Sequence, residues 1–499
     1  MVVTGLAAAV DRVAGWSAGH PRRAIALWLC IVTASVTGGG LALHARRTVW
    51  LDTARAGAAE PFSGGFTGVG PAGTLLIAAT VVLVVMTCLL AAIPPALLTV
   101  LVALSAVAAA TGWWALAALC FADHGPTLSV LALAAVLGAS LGLVHSLIYL
   151  WRERLTWRRW PDRPGPAGTA AASSRSVLRS CCVTIVVTCG LYASGDAMLS
   201  AVATGVILTV AAVMLASLTV LPAVCARYGR RLGWPRLPVL WRLAYRLGPP
   251  RLWPALLRPG VRRPVVTLVS STVVLGLLAL PLLWWDPTGS TGGPTGIGGA
   301  SDGTATELTV AAVALSAVLL TFAALTAVFR SAPAALAVTL PSALASAASC
   351  GLALLILTVW KPRQAPGTWG HSTTAAWAPL LSFVLALAVS VNFHRFVVDH
   401  VLESGAHGMP AREATVRGLT GTSDAVTGGA TVMGTVFALA TQLCSGEVGR
   451  LSVVLITAVA LNATLVRALT LPSLLILLGG RGLRPQAPAR GTGVTSRKR

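Results

Sequence analysis

Twelve apolar stretches, each close to the length that crosses a bilayer, constrain this chain more than any other feature. A hydrocarbon core about 30 Å thick takes roughly 20 apolar residues in a helix. Such runs fall near residues 24–43, 73–93, 96–120, 127–150, 177–194, 199–225, 265–285, 306–329, 332–359, 375–398, 426–444 and 451–478, the fifth being the shortest. Composition agrees. With 56% hydrophobic and 10% charged residues and a mean hydropathy of +0.80, a chain of 499 residues has too little polar surface for water. The expected fold is an all-α integral membrane protein with about twelve transmembrane helices.

The net charge of +22 is sorted by position. With the N-terminus in the cytoplasm, 31 of the Lys and Arg residues fall on the inner side and 6 on the outer side. This is the positive-inside pattern, and it predicts cytoplasmic N- and C-termini in a bacterial inner (plasma) membrane. Basic loops on that side attract anionic lipid headgroups, which leaves nucleic acid without a role as partner. The nine cysteines form no CxxC pair and read as small buried hydrophobes. LALHA at 41–45 puts Leu where a cleavage site takes a small residue, so span one reads as an uncleaved anchor.

The chain also repeats itself. HPRR introduces span one and VRRP introduces span seven, while LTVLP ends span six and LTLP ends span twelve. Pro222 and Pro472 then match at an offset of 250, which also lays Gly142 on Asn392 and His145 on Arg395. Residues 1–232 form a first six-helix repeat and 233–480 a second, joined by a basic connector at 227–263 and followed by a basic tail at 481–499. Each repeat has one span, an external gap and five more spans, so the two run parallel. The first gap, 44–72, is short. The second, WWDPTGSTGGPTGIGGASDGTATE, has the composition of a flexible linker, and neither gap holds enough residues for a core. Trp234, Trp241 and Trp253 in the connector predict a helix lying on the inner leaflet.

In this order the motifs resemble the MMPL-type lipid transporters of the resistance-nodulation-division superfamily, over residues of about 16–480. The resemblance rests on HPRR at 20–23, LVHSLIYLWRERL at 143–155, the stretch RSAPAALAVTLPSALASAASCGLALLI from Arg330, and LNATLVRALTLP at 461–472. It implies a 1+5, 1+5 fold and export of a lipid or another hydrophobic molecule driven by proton influx. It further implies a coupling site at the centre of spans four and ten, an Asp-Tyr pair on each. Carried over by position, these pairs fall on Gly142-Leu143 and Asn392-Phe393, and the Asp usual in the last helix falls on Asn462. Every one of these positions lacks the titrating group, and the family's large external porter domains are replaced by the two short gaps. Asn keeps the shape and hydrogen bonding of a protonated Asp but does not titrate.

VSVNFHRFVVDH at 389–400 remains the most polar stretch inside an apolar run. Asn392 and Asp399 are seven apart and share a helix face, with Arg395 between them at spacings of three and four. That face is expected to meet span four near Gly142, where a missing side chain permits close approach. Two readings stay open. His145, Arg395, Asp399 and Asn462 line a remodelled polar path, or Arg395–Asp399 is a helix-end ion pair and the amides tie neighbouring helices together. No nucleophile–base pair, metal spacing or nucleotide motif is present, so neither an enzyme nor a cofactor is expected.

Two functions are consistent with this sequence: a transporter of lipids or hydrophobic molecules, or a relic of that fold that binds lipid or scaffolds a membrane partner subunit. In either case membrane lipids are the expected partners, with a hydrophobic small-molecule substrate in the first. The sidedness is directly testable. In a cysteine-free background, a cysteine placed at Thr295 is expected to react with an impermeant maleimide from outside intact cells, and one at Tyr245 only after permeabilisation. The reverse labelling overturns the orientation.

Overall fold

Each apolar run becomes a helix because a backbone in hydrocarbon can satisfy its polar groups only within itself. A computed structural model describes residues 2–45, 71–117, 128–159, 167–228, 249–284, 300–360, 373–406, 409–444 and 446–479. Among them no strand occurs, and twelve helices are long and apolar enough to span a membrane. Spans one to six are Pro21–Ala42, Gly73–Leu90, Ile93–Ala117, Val130–Arg154, Ala170–Ser194 and Ala197–Tyr228. Spans seven to twelve are Pro264–Leu283, Leu308–Phe329, Ala332–Val359, Ala378–Gly405, Ser423–Leu443 and Glu447–Leu478.

Burial orders these helices. In the apolar stretch of span ten 89% of the residues are buried and in those of spans four and six 72%, whereas in those of spans two and seven only 17% are. Span ten is therefore in the core of the bundle and spans two and seven face lipid. Spans three, four and six pack on one another in the first half, and spans nine, ten and twelve make corresponding contacts in the second. Across the middle, span four packs on span eleven and span ten on span five, a reciprocal pair of contacts that relates the halves.

Small residues set the closest approaches, because lipid chains supply no hydrophobic force between helices. A Cβ on Gly112 of span three would run into the Ser35 carbonyl of span one, and one on Gly351 of span nine into the Leu278 carbonyl of span seven. Each lone first span of a half is thus held against the third by a glycine.

Three sequence expectations change. Span five is longer than its apolar run: helix Ala167–Cys189 begins ten residues before Val177, since its hydroxyl-rich start is buried against protein instead of lipid. The helix of span eight begins at Ala300, inside the stretch read as a flexible linker. The connector helix Pro249–Arg262 does not lie free on the leaflet. Leu257 is buried, and Trp253 is buried too, donating from Nε1 to Thr427 Oγ1 at 3.3 Å. Trp234, Trp241, the gap at 46–70, most of the second gap and the tail at 481–499 lie outside the described residues. A separate helix, Val2–Gly19, packs on spans five and six and is tied there by Asp11–Arg175 at 2.9 Å.

The glycine contacts predict opposite outcomes at two positions. Gly351→Ala is expected to destabilise by about 1–3 kcal/mol through overpacking against span seven. Gly276→Ala meets no atom within 4 Å and is expected to stabilise by up to about 1 kcal/mol of helix propensity. Thermal unfolding of the purified variants followed by size-exclusion fluorescence distinguishes them.

Candidate functional site

Span ten carries a polar side chain toward each of three neighbours. Asn392 faces span five, where Ser176, Ser180, Thr184 and Thr188 recur every fourth residue and form one hydroxyl stripe. The Asn392 amide donates from Nδ2 to Thr184 Oγ1 at 2.8 Å and to the Ala388 carbonyl at 2.9 Å. Its Oδ1 accepts from the Ser180 hydroxyl. Thr184 passes its own hydrogen to the Ser180 carbonyl at 3.1 Å.

His145 of span four joins from the other side, with Nε2 3.2 Å from Ser180 Oγ. Because Ser180 has one hydrogen and gives it to Asn392, His145 must be the donor, which assigns the proton to Nε2. The chain of donors then runs one way, from His145 through Ser180 to Asn392. An amide at its end accepts a hydrogen bond but passes no proton onward. His145, Ser180, Asn392 and Arg395 also border a cavity of about 40 Å³. That is room for water, which needs at least about 10–15 Å³, and not for a lipid chain.

One turn along span ten, Arg395 is 2% exposed and reaches Asp399 Oδ2 at 2.6 Å, while a second nitrogen donates to the Ser176 carbonyl at 3.2 Å. The ion pair is local to span ten, and its tie across to span five is the carbonyl contact. His394 turns the opposite way, with Nδ1 2.8 Å from Ser342 Oγ of span nine. On span twelve Asn462 opens a π-helical segment, Asn462–Thr470, and donates to Ser390 Oγ of span ten at 2.7 Å. Leu143 and Phe393 are buried apolar side chains.

The expected meeting of Asn392 with Gly142 does not occur. A Cβ on Gly142 would lie 3.2 Å from Ala103 of span three and 3.7 Å from Val213 of span six, so this glycine serves packing inside the first half. The reciprocal interface is the physical reason: it sets span five, not span four, against the Asn392 face. Spans four and ten touch nearer the basic side, where Arg152 stacks on Phe396 at 5.6 Å and Trp151 meets Phe396 and His400. His145 and Asn392 are brought together only through Ser180. Asn462 belongs to a separate contact on the far side of span ten. Sequence reasoning missed Ser180, Thr184 and Ser342; the four-residue stripe on span five was the available signal for the first two.

The sequence profile of the MMPL family matches residues 67–267 and 291–496. The mycolic acid-containing lipids exporter MmpL11 of Mycolicibacterium smegmatis is 28% identical over 145 residues, 29% of this chain and 15% of the exporter. The heme uptake protein MmpL11 of Mycobacterium tuberculosis H37Rv is 32% identical over 146 residues, 29% of this chain and 15% of that protein. The matched segment is thus a small part of either relative's length. Among solved structures, SecDF, a translocon-associated membrane protein from Thermus thermophilus, overlays with a TM-score of 0.53 at 12% identity. The overlay covers 81% of this chain and 61% of SecDF. At that identity the likeness concerns the fold alone.

The geometry orders three variants. Asn392→Ala removes one interhelical amide and is expected to destabilise by about 0.6–2 kcal/mol. Arg395→Met removes the cation bonded to the partly exposed Asp399 carboxylate, with Arg152 still nearby, and is expected to destabilise by about 1–3 kcal/mol. Adding Asp399→Leu to Arg395→Met is expected to recover most of that loss. Thermal unfolding of the single and double variants checks the order, and a double variant no better than the single shows that Arg395 acts through Ser176 instead.

Proposed function

Since the chain belongs to the MMPL family, we propose that it is a membrane transport protein for lipids or other hydrophobic molecules, with a central polar cluster that joins the two repeats instead of relaying protons. The observation that carries this reading is the hydrogen-bond assignment at Asn392. A proton relay inside a membrane needs a group that gains and loses a proton. Here the relay-equivalent positions are Gly142, Leu143, Asn392 and Phe393, and Asn392 is held by fixed donors and acceptors from Ser180, Thr184 and Ala388. The chain's relatives include a mycolic acid-containing lipids exporter and a heme uptake protein. The hydrophobic substrate class proposed for this chain rests on that likeness.

The titratable groups of the candidate polar path, His145 and Asp399, are on different helices with Arg395 and Ser180 between them. Neither meets the other directly. Transport in this reading therefore runs down the gradient of the lipid itself.

Flux of a fluorescent lipid in proteoliposomes, with and without an imposed pH gradient, tests the proposal. Wild type is expected to accelerate lipid movement equally in both conditions, and Asn392→Ala and His145→Ala to leave the pH response flat. Gradient-dependent flux abolished by both His145→Ala and Asp399→Asn overturns the uncoupled reading. No flux above empty liposomes in any condition favours the lipid-binding or scaffold alternative.

A further inference from the structure

The cavity of about 40 Å³ beside Asn392 is walled by residues of spans four, five, ten and eleven, so it lies where the two halves meet. Most of the wall is apolar, with Val144, Phe393 and Met433 among its residues. His145, Ser176, Ser180, Asn392 and Arg395 supply the polar part. Two of these residues carry a buried polar atom that has no hydrogen-bond partner among the described residues, Nδ1 of His145 and Nε of Arg395. Leaving such atoms unpaired in the interior is costly, and most are found paired to protein or to ordered water.

Neither side chain is free to turn toward a partner elsewhere. His145 is held through Nε2 at Ser180, and Arg395 through Nη1 at Asp399 and Nη2 at the Ser176 carbonyl. The two residues are 5% and 2% exposed, and the Arg395 charge is near enough to act on the imidazole.

The two unpaired atoms are of opposite kind. Nε of a guanidinium carries a hydrogen and only donates. Nδ1 of His145 is bare, because the proton is on Nε2, and only accepts. An anion in the cavity would meet the Arg395 donor and also the Nδ1 lone pair. A cation would meet the lone pair and also the guanidinium charge, and a hydrocarbon would satisfy neither atom. A small neutral molecule that both donates and accepts suits both. The cavity, at about 40 Å³, holds one molecule of water, whose share of the liquid is about 30 Å³.

We infer that this cavity is the binding site of one ordered water, which accepts from Arg395 Nε and donates to His145 Nδ1. Its second hydrogen goes to the Ser176 hydroxyl on the same wall, which gives it the usual complement of about three bonds for a buried water. The water joins two contacts that are otherwise separate, the Arg395–Asp399 pair and the chain from His145 through Ser180 to Asn392. Hydrogen bonds then run from Arg395 through water, His145 and Ser180 back to Asn392, on the same helix. That ring passes through spans ten, four and five, so span four gains a polar tie to the second half. The inference shares the hydrogen-bond assignment on which the uncoupled reading rests, and it stands whether or not the chain transports.

Solid-state NMR of the full chain in proteoliposomes reads this site. Val144–His145 is the one Val–His pair in the sequence, so carbonyl-13C valine with 13C,15N-histidine selects His145 without a mutation. In perdeuterated protein back-exchanged in ordinary water, the expected spectrum has a bare Nδ1, a protonated Nε2 and a cross-peak from Nδ1 to a water proton. Ser176→Ala is expected to keep the cross-peak, since two of the water's partners remain. Arg395→Met is expected to lose it while Nδ1 stays bare. A bare Nδ1 with no proton contact means a dry cavity and overturns this inference alone. A protonated Nδ1 overturns it together with the hydrogen-bond assignment at Asn392. A cross-peak that survives Arg395→Met overturns the bridge, and one lost in Ser176→Ala assigns the proton to that hydroxyl and overturns it too.

Discussion

In a bilayer the apolar surface of one helix gains nothing by leaving lipid for another apolar helix, so the arrangement of twelve such helices depends on where close packing and polar contacts are placed. In this protein that placement is concentrated on span ten. It sends Asn392 to span five, His394 to span nine and Ser390 to meet Asn462 of span twelve. Each contact joins groups that would otherwise stand unsatisfied in hydrocarbon, where an unpaired polar group is expensive. A helix fixed on three sides by such pairs has one rotational setting. The remaining helices of the second half pack around it, and the first half meets it through span five.

Replacing a titrating Asp by Asn at such a position changes the energetics without changing the shape. A carboxylate buried among helices must pick up a proton or a counter-ion, and the switching between those states is what couples it to a gradient. The amide of Asn392 has one state, with two donors and one carbonyl already engaged by Thr184, Ala388 and Ser180. The result is a contact that stabilises one arrangement of the two halves. Beside it Arg395 pairs with Asp399 within span ten, and Arg152 of span four lies against Phe396 one turn away.

Much of the architecture was legible in the sequence because span length is a hard physical limit and each half opens on an arginine pair and closes on a proline, Pro222 and Pro472. The twelve runs recur as twelve helices, with ends displaced where protein, not lipid, covers them, as at span five. Helix partners were far less legible. Lipid-facing and protein-facing sides are both apolar here, so no stripe in most spans points to a neighbour. Placing Gly142 opposite Asn392 assumed that aligned positions in two repeats must touch; the reciprocal packing of span four on eleven and five on ten puts them apart. Ser176, Ser180 and Thr184, spaced by four, marked the true partner. Trp253 misled for another reason: an interfacial Trp and a Trp capping a buried Arg have the same local sequence, and only Arg467, more than two hundred residues away, separates them.

The two halves offer unlike surfaces at matching positions. Position 184 in the first repeat and 434 in the second are equivalent in the alignment, yet one is a buried threonine bonded to Asn392 and the other a glycine beside open space. The difference follows from what each helix faces. Span five carries its polar stripe to the core partner, span ten, and a hydroxyl there ties the two halves. Span eleven meets span four through Gly428 and Gly429, whose missing side chains admit Leu147 and Val144, so it needs no polar tie. Once the reciprocal contact is made by apolar packing, position 434 is released from the interface, and a glycine there opens the span to lipid. Unlike residues at one pair of matching positions thus make a joint on one side of the molecule and leave open space on the other.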